Sequence, residues 1–263
     1  MKKFLVIGNP IGHSLSPRLH NHWIKKNKID AIYEQKQLIK DEIQNVVNEL
    51  KNGKIDGINV TVPFKNTVIP FLDNLSSEAK ATQSVNTIYK EKNKIFGHNT
   101  DISGFELAIK RANYDLKNKT AFILGAGGVA PSIIYALKKI GVSKIILSNR
   151  TKKKALDLKI FFNDLKIIDW GEICDFDIII NATSLGLKNE DEIKLDYSNI
   201  GNNKLFYDVI YNPKETKFLL KAKRYGNKIE NGKMMFIYQA HQAFTIWHKI
   251  MPEINDETIN LLN

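Results

Sequence analysis

Two hydroxyls one residue apart, Ser14 and Ser16 in "NPIGHSLSPRLHN", are the first groups in this 263-residue chain whose spacing suits chemistry. Lys65, just past an apolar strand pattern in "NVTVPFK", and Asp101, closing "GHNTD", are the next. A lysine ammonium beside a carbonyl oxygen stabilises and protonates the negative charge that develops there, and a neutral lysine takes the proton from an alcohol. Each residue also has a plainer duty open to it. Ser16 before Pro17 fits a helix cap, Asp101 precedes a helix in which Ser103 and Glu106 fit a capping box, and lysines mostly sit on surfaces. Ser14 lies outside the helix that Ser16 opens and is left with no such duty. Two neutral hydroxyl donors near a helix N-terminus make a carboxylate site that needs no arginine.

A second constellation is "ILGAGGVAPSII", where Gly125, Gly127 and Ala130 form a G-x-G-x-x-A pattern directly after a strand and at the start of a helix. The first glycine makes the tight turn, the second lets backbone N–H groups approach a pyrophosphate, and the small third residue lets the helix pack closely. A nicotinamide cofactor moves a hydride, so some side chain must handle the accompanying proton, and Lys65 is placed for it. The next strand ends in "SNRT" with no Asp or Glu for a ribose 2′-hydroxyl. Arg150 stands there instead, followed by Lys152, Lys153 and Lys154, which predicts NADP rather than NAD.

Elements able to position these groups follow from the alternation of apolar runs with helical patterns. "KKFLVIG", "AIYEQKQL" and "DGINVTV" read as strands, with helices over "SPRLHNHWIKKN" and "KDEIQNVVNELKNG" between them, the second closed by Gly53. Asn59 and Thr61 share one side of the third strand, whose C-terminal end is where sites in open α/β sheets gather. "TIYKEKNKIFGHNTD" reads as a hairpin. The runs "TAFILG", "KIILSNR", "FDIIINAT" and "KLFYDVIY" are nearly continuous in apolar residues, as strands covered on both faces are. "KMMFIYQAHQAFTIWHKI" and "DETINLL" read as closing helices. The pattern predicts an α/β fold of two domains. Residues 1–101 carry a mainly parallel sheet, 102–232 form a Rossmann domain, and 233–263 return to pack on the first.

Composition narrows the function classes. A hydrophobic share of 43% supports a sizeable core. The net charge of +11 raises nucleic acid as a partner, yet arginine occurs only at positions 18, 111, 150 and 224 and the lysines are spread throughout, so a solvated lysine-rich surface is expected and no nucleic-acid site. Cys174 is the sole cysteine, which excludes an internal disulfide. The apolar run at the start is about five residues, short of the roughly 7 to 15 of a secretory signal, and no window approaches the ~20 of a membrane span. A cytoplasmic protein without a membrane partner is expected.

Read together, "GNPIGHSLSPRLHN", "NVTVPFK", "SVNT", "GHNTD", "GAGGVA", "NRT", "NATSLG", "YDVIYNP" and "MMFIYQAHQAF" closely resemble the shikimate dehydrogenase family nearly end to end. That resemblance implies NADP-dependent reduction of 3-dehydroshikimate to shikimate. By it, Ser14 and Ser16 hold the substrate carboxylate with help from Tyr211, and Asn59, Thr61, Asn86 and Gln239 line the pocket around the ring hydroxyls. Lys65 and Asp101 are the catalytic pair, with the formal acid and base left open between them. Gly125, Ala126, Gly127, Gly128 and Val129 cradle the pyrophosphate, Asn149, Arg150, Thr151 and Lys154 meet the adenosine phosphate, and Val209 and Gly232 lie by the nicotinamide. Two positions depart from the family pattern: Gln83 and Ser84 replace the usual Gly-Ala, and Leu187 replaces the usual Met. A quinate-oxidising relative and a non-catalytic NADP sensor are the competing readings.

Overall fold

Residues 1–188 and 190–262 are described by the structure, a computed structural model. The first apolar run forms strand β1 (Lys2–Gly8), and the amphipathic helix after it, α1 (Ser16–Lys26), buries Leu19, His20, Trp23 and Ile24. β2 (Ala31–Gln37), α2 (Ile43–Lys51) and β3 (Gly57–Val60) follow, with Gly53 taking φ +75° just past α2. The short β4 (Asn74–Leu75) and α3 (Ser77–Thr82) lead to the hairpin β5 (Thr87–Glu91) and β6 (Lys94–His98). The sheet runs β2-β1-β3-β5-β6-β4, parallel in its first half and antiparallel where β5 meets β3 and β6. Alternation along the strands gives each face its own filling. Leu5, Ile7, Ile58 and Val60 join an aliphatic cluster with Val46, Val47 and Leu50 of α2.

Aromatic groups fill the opposite face. Phe4 and Gly57 are paired across β1 and β3, and Phe4 is paired with Tyr33 across β1 and β2. A methyl group added at Gly57 would lie 2.4 Å from the indole nitrogen of Trp247, which donates to the Ile88 carbonyl at 3.1 Å. Trp247 belongs to a long helix near the end of the chain, so that helix closes this face.

The helix α4 (Asp101–Arg111) precedes the second series: β7 (Thr120–Leu124), α5 (Ala130–Ile140), β8 (Lys144–Ser148), α6 (Lys152–Phe161), β9 (Lys166–Ile168), β10 (Ile178–Asn181), β11 (Leu205–Asp208), α7 (Lys217–Arg224) and β12 (Lys228–Asn231). These strands are parallel throughout, in the order β12-β11-β10-β7-β8-β9, which is the doubly wound dinucleotide-binding arrangement. α8 (Lys233–His248) and α9 (Asp256–Asn260) end the chain. Contacts divide the molecule into two units: residues Met1–Gly104 with Ile237–Asn263, and residues Phe105–Phe236. The divisions fall a few residues inside α4 and α8. Among the described residues no helix is long and apolar enough to cross a membrane.

Helix starts differ from the sequence expectation in two places. Ser16 is the first residue of α1 rather than its cap, and the hydroxyl of Ser14 accepts the Ser16 N–H at 3.3 Å, so Ser14 does have a local duty. A serine oxygen reaching the N–H two residues on competes effectively with a cap further along. At α4 the capping box does not form. Asn99 Oδ1 accepts the Asp101 N–H at 3.1 Å, and the Ser103 hydroxyl donates to the Thr100 carbonyl at 3.1 Å. The carboxylate of Asp101 is thereby left for other partners.

Candidate active site

Strand polarity brings the polar segments of the first unit to one edge of its sheet. β1 and β3 are parallel neighbours, so the loops after Gly8 and Val60 leave the same edge, and the Asn9 N–H donates to the Val62 carbonyl at 2.9 Å. β5 is antiparallel to both β3 and β6, which brings its start, Asn86 and Thr87, to the same edge as the end of β6 and the N-terminus of α4. Backbone bonds fasten the three segments. The Val85 N–H donates to the Lys65 carbonyl at 2.8 Å, the Val60 N–H to the Asn86 carbonyl at 2.9 Å, and the Asn86 N–H to the His98 carbonyl at 3.0 Å.

On this frame the Lys65 ammonium meets Asp101 Oδ2 at 2.5 Å, with both side chains about nine-tenths buried. Asp101 Oδ1 accepts from Asn86 Nδ2 at 3.0 Å, and the same amide donates to Thr100 Oγ1 at 2.9 Å and to Gln239 Oε1 at 3.3 Å. Asn86 Oδ1 accepts the Thr100 N–H at 2.7 Å and the Thr87 hydroxyl at 3.1 Å, so this side chain cannot turn without breaking bonds at both ends. Buried charges of this kind persist only when paired and hydrogen-bonded.

Asn59 joins the cluster from β3. Its Nδ2 donates to the Asn86 carbonyl at 2.9 Å and to Thr87 Oγ1 at 3.1 Å, and its Oδ1 accepts the Tyr33 hydroxyl at 2.6 Å. Lys65, Asp101, Asn86, Gln239 and Asn59 are therefore one connected network. Thr61 stands two residues beyond Asn59, half-buried against Gly8, where an added methyl would lie 2.6 Å from its Cγ2. Ser14 belongs to the loop after β1, and Ser16 opens α1. The oxygen of Ser14 is an acceptor for Ser16, which leaves its O–H free to donate, and Ser16 is buried beside Tyr33. Tyr33, Thr87 and Thr100 were not singled out from the sequence. The two threonines lie inside quoted motifs, whereas nothing in the pattern of β2 marks Tyr33.

The second unit carries the glycine loop. Gly125 takes φ +107°, and a methyl there would lie 2.9 Å from the backbone of Ala182. Only glycine fits such a turn. Gly127 lies outside the left-handed region, and a methyl there would touch the Ala182 carbonyl oxygen alone, at 3.7 Å. Gly127 and Gly128 are exposed, and no side chain caps α5. A glycine loop at a helix N-terminus with no side-chain cap suits the pyrophosphate of a dinucleotide. Asn149 ties this loop to the end of β8, accepting the Ala126 N–H at 3.0 Å and donating to the Thr151 carbonyl at 2.8 Å.

Past it, Lys152 pairs with Asp169 at 2.6 Å, whereas Arg150, Lys153 and Lys154 are exposed and carry no ion pair among the described residues. Uncommitted cations with no carboxylate at the strand end fit a 2′-phosphate. At the ends of β11 and β12 the backbone of Gly232 presses on Val209 so closely that a methyl would lie 2.0 Å from the Val209 oxygen. Tyr211, in the same loop, stacks on Phe236 with ring centres 4.7 Å apart.

Asp208 holds that loop in shape. Fully buried at the end of β11, it accepts the Thr216 hydroxyl at 2.6 Å, the Ile210 N–H at 3.0 Å and Asn181 Nδ2 at 3.0 Å. Burial pushes its carboxyl up to about 6, with those three hydrogen bonds pulling the other way.

Comparison with known proteins identifies the family. Residues 6–88 match the family described as "Shikimate dehydrogenase substrate binding domain" and residues 106–208 the family described as "Shikimate / quinate 5-dehydrogenase". The chain is 62% identical over 262 residues to a shikimate dehydrogenase (NADP(+)) of Pelagibacter ubique, covering 100% of this chain and 99% of that one. The crystal structure of the shikimate dehydrogenase of Aquifex aeolicus superposes with a TM-score of 0.89 at 36% identity, covering 100% of this chain and 97% of the other. That of Thermus thermophilus, in complex with NADP(H) and shikimate, superposes with a TM-score of 0.90 at 30% identity, covering 100% and 98%. The chain belongs to the shikimate dehydrogenase family.

Proposed function

We propose that this protein catalyses the reversible, NADP-dependent interconversion of shikimate and 3-dehydroshikimate, with Lys65 and Asp101 as the catalytic pair. The observation that carries the reading is the buried contact of 2.5 Å between Lys65 and Asp101 within a network that also holds Asn86 and Gln239. When bound, NADP supplies or accepts the hydride. This chain's own residues do the rest. In reduction the Lys65 ammonium hydrogen-bonds the ketone oxygen, stabilises the charge that grows on it and delivers the proton. In oxidation the neutral amine receives that proton back. Asp101 keeps the ammonium aimed, since one of its oxygens is held by Lys65 and the other by Asn86.

Ser14 offers its O–H to the substrate carboxylate with Ser16 beside it, and Thr61, Asn86 and Gln239 face the ring hydroxyls. Gly125 to Val129 take the pyrophosphate, Asn149 to Thr151 with Lys154 take the adenosine phosphate, and Val209 and Gly232 meet the nicotinamide. A chain with one cysteine needs no oxidising compartment, and the cytoplasm is where we place the reaction.

The test is shikimate-dependent formation of NADPH followed by absorbance, with quinate and NAD as competitors. Faster turnover of quinate with NAD would replace the substrate and cofactor named here. Lys65→Ala is expected to lower kcat far more than it weakens shikimate binding, and Ser14→Ala chiefly to raise KM. Equal losses of kcat from the two changes would contradict the division of roles.

A further inference from the structure

Three polar groups of the first unit have no part in that mechanism: the imidazole of His20, the amide of Asn21 and the phenol of Tyr33. They form one assembly. The Asn21 side chain brackets the backbone of Tyr33 as a neighbouring strand would, donating to its carbonyl at 2.8 Å and accepting its N–H at 2.9 Å. One residue earlier, the His20 ring lies flat on the Tyr33 ring, with centres 4.2 Å apart and planes within 6°. His20 is entirely buried with both ring nitrogens lacking hydrogen-bond partners, and burial drives its pKa down to about 3, so it is a neutral flat plate. Trp23, Phe244 and Trp247 close the slot around it.

Clamped at backbone and ring, the Tyr33 side chain has one direction left, and its hydroxyl meets Asn59 Oδ1 at 2.6 Å. Tyr33 is 1% exposed, and burial keeps its phenol protonated, hence a donor. A donor at that place decides which end of the Asn59 amide faces it. The nitrogen must then face the Asn86 carbonyl and Thr87 Oγ1, as observed. Turned over, the amide would set its oxygen against the Asn86 carbonyl, acceptor against acceptor. All of Asn59's observed bonds are thus spent on the protein.

We infer that Tyr33 is a positioning residue of the substrate site: through Asn59 it sets the Asn86–Thr87 segment, and with it the amide that Asn86 directs at Asp101 and Gln239. This rests on the reading of the site as a shikimate site. The geometry gives the "SPRLHN" segment a second role, since His20 and Asn21 hold in place the residue that orients the pocket one strand further on.

The experiment measures shikimate and NADP+ kinetics at 15 °C for the parent, Tyr33→Phe, Asn59→Ala and the double variant. Tyr33→Phe keeps the ring stack and removes the hydroxyl, which donates to Asn59 and also meets Ser16; the double variant separates the Asn59 route from the Ser16 one. Tyr33→Phe is expected to lower kcat/KM for shikimate about tenfold with the KM for NADP+ unchanged within twofold, and the double variant to be no worse than Asn59→Ala alone. A merely structural tyrosine would lower thermal stability and leave the shikimate constants of the folded enzyme intact at this temperature. Unchanged shikimate kinetics in Tyr33→Phe, equal losses toward both substrates, or effects that multiply in the double variant would overturn the inference. If Asn59→Ala does not accumulate, the shikimate-against-NADP+ split of Tyr33→Phe decides alone. A parent that forms no NADPH from shikimate refutes the functional reading and this inference with it; an active parent matched by Tyr33→Phe refutes only the inference.

Discussion

Gly127→Ala separates a glycine kept for a ligand from one kept for the fold. At Gly127 the added methyl meets only one protein atom, at an ordinary contact distance of 3.7 Å, and the backbone is outside the left-handed region. Folding should tolerate it, and the reduced freedom of the unfolded chain adds about 0.4–1 kcal/mol of stability. On the proposed reading the same methyl stands where the pyrophosphate approaches the backbone. Losing one charge-assisted hydrogen bond costs about 1.5–3 kcal/mol, or roughly 10- to 150-fold in Kd.

Gly125→Ala is the control. Its φ of +107° and the 2.9 Å approach to the Ala182 backbone put a large penalty on the fold itself, whatever it does to binding. A cost of about 3 kcal/mol, at roughly 2–4 °C per kcal/mol, lowers Tm by about 6–12 °C. Thermal melting without nucleotide and calorimetric titration with NADP+ read the two effects separately. Gly127→Ala binding NADP+ within twofold of the parent would refute the placement of the pyrophosphate on this loop. A fall of many degrees in its Tm would refute the claim of open space.

Gln83→Gly is expected to stabilise the protein by about 0.5–1 kcal/mol, seen as a rise in urea midpoint, because Gln83 ends α3 at φ +48° where glycine has no penalty; an unchanged or lower midpoint contradicts this. His20, held near pKa 3 against 6.5 unfolded, binds fewer protons folded than unfolded, so its contribution is complete above pH 6.5 and is lost as pH falls toward 3, up to about 5 kcal/mol. Urea midpoints of the parent should fall from pH 7 to pH 5, and His20→Leu should flatten that fall; an equal slope refutes the assignment. Asp208 has the opposite sign. Raised from 3.8 to about 6, its contribution is complete below pH 4 and is lost as pH rises through 6, roughly 3 kcal/mol, and Asp208→Asn should remove this loss when stability is compared at pH 5 and pH 8.

Local patterns made the second unit readable. The strands in "TAFILG", "KIILSNR" and "FDIIINAT" are buried on both faces, so each announces itself without help from distant residues, and the first glycine of the loop, Gly125, has a backbone reason in its φ of +107°. In the first unit the motif residues Lys65, Asp101, Asn86 and Gln239 could be picked out, but their shared network depends on strands far apart in sequence. Tyr33 shows the limit. Its duty depends on Asn59, 26 positions away, and on a stack with His20, neither of which leaves a periodic trace in β2. The helix starts were misjudged for a related reason: several side-chain oxygens competed for the same N–H groups, and only the folded loop decides among Ser14, Ser16 and Asn99.

The return of α8 to the first sheet bears on how the chain is made. Residues Phe105–Phe236 are contiguous, so the nucleotide unit has every strand it needs as soon as that stretch leaves the ribosome. The unit that holds Lys65 and Asp101, although it begins at the first residue, stays unfinished until residues 237 onward are synthesised. Until then Phe4, Tyr33 and His20 lack the cover of Phe244 and Trp247, and Gly57 faces the gap the indole will fill. The half of the protein translated first is thus completed last, and for that interval its aromatic face is the surface a chaperone would have to guard.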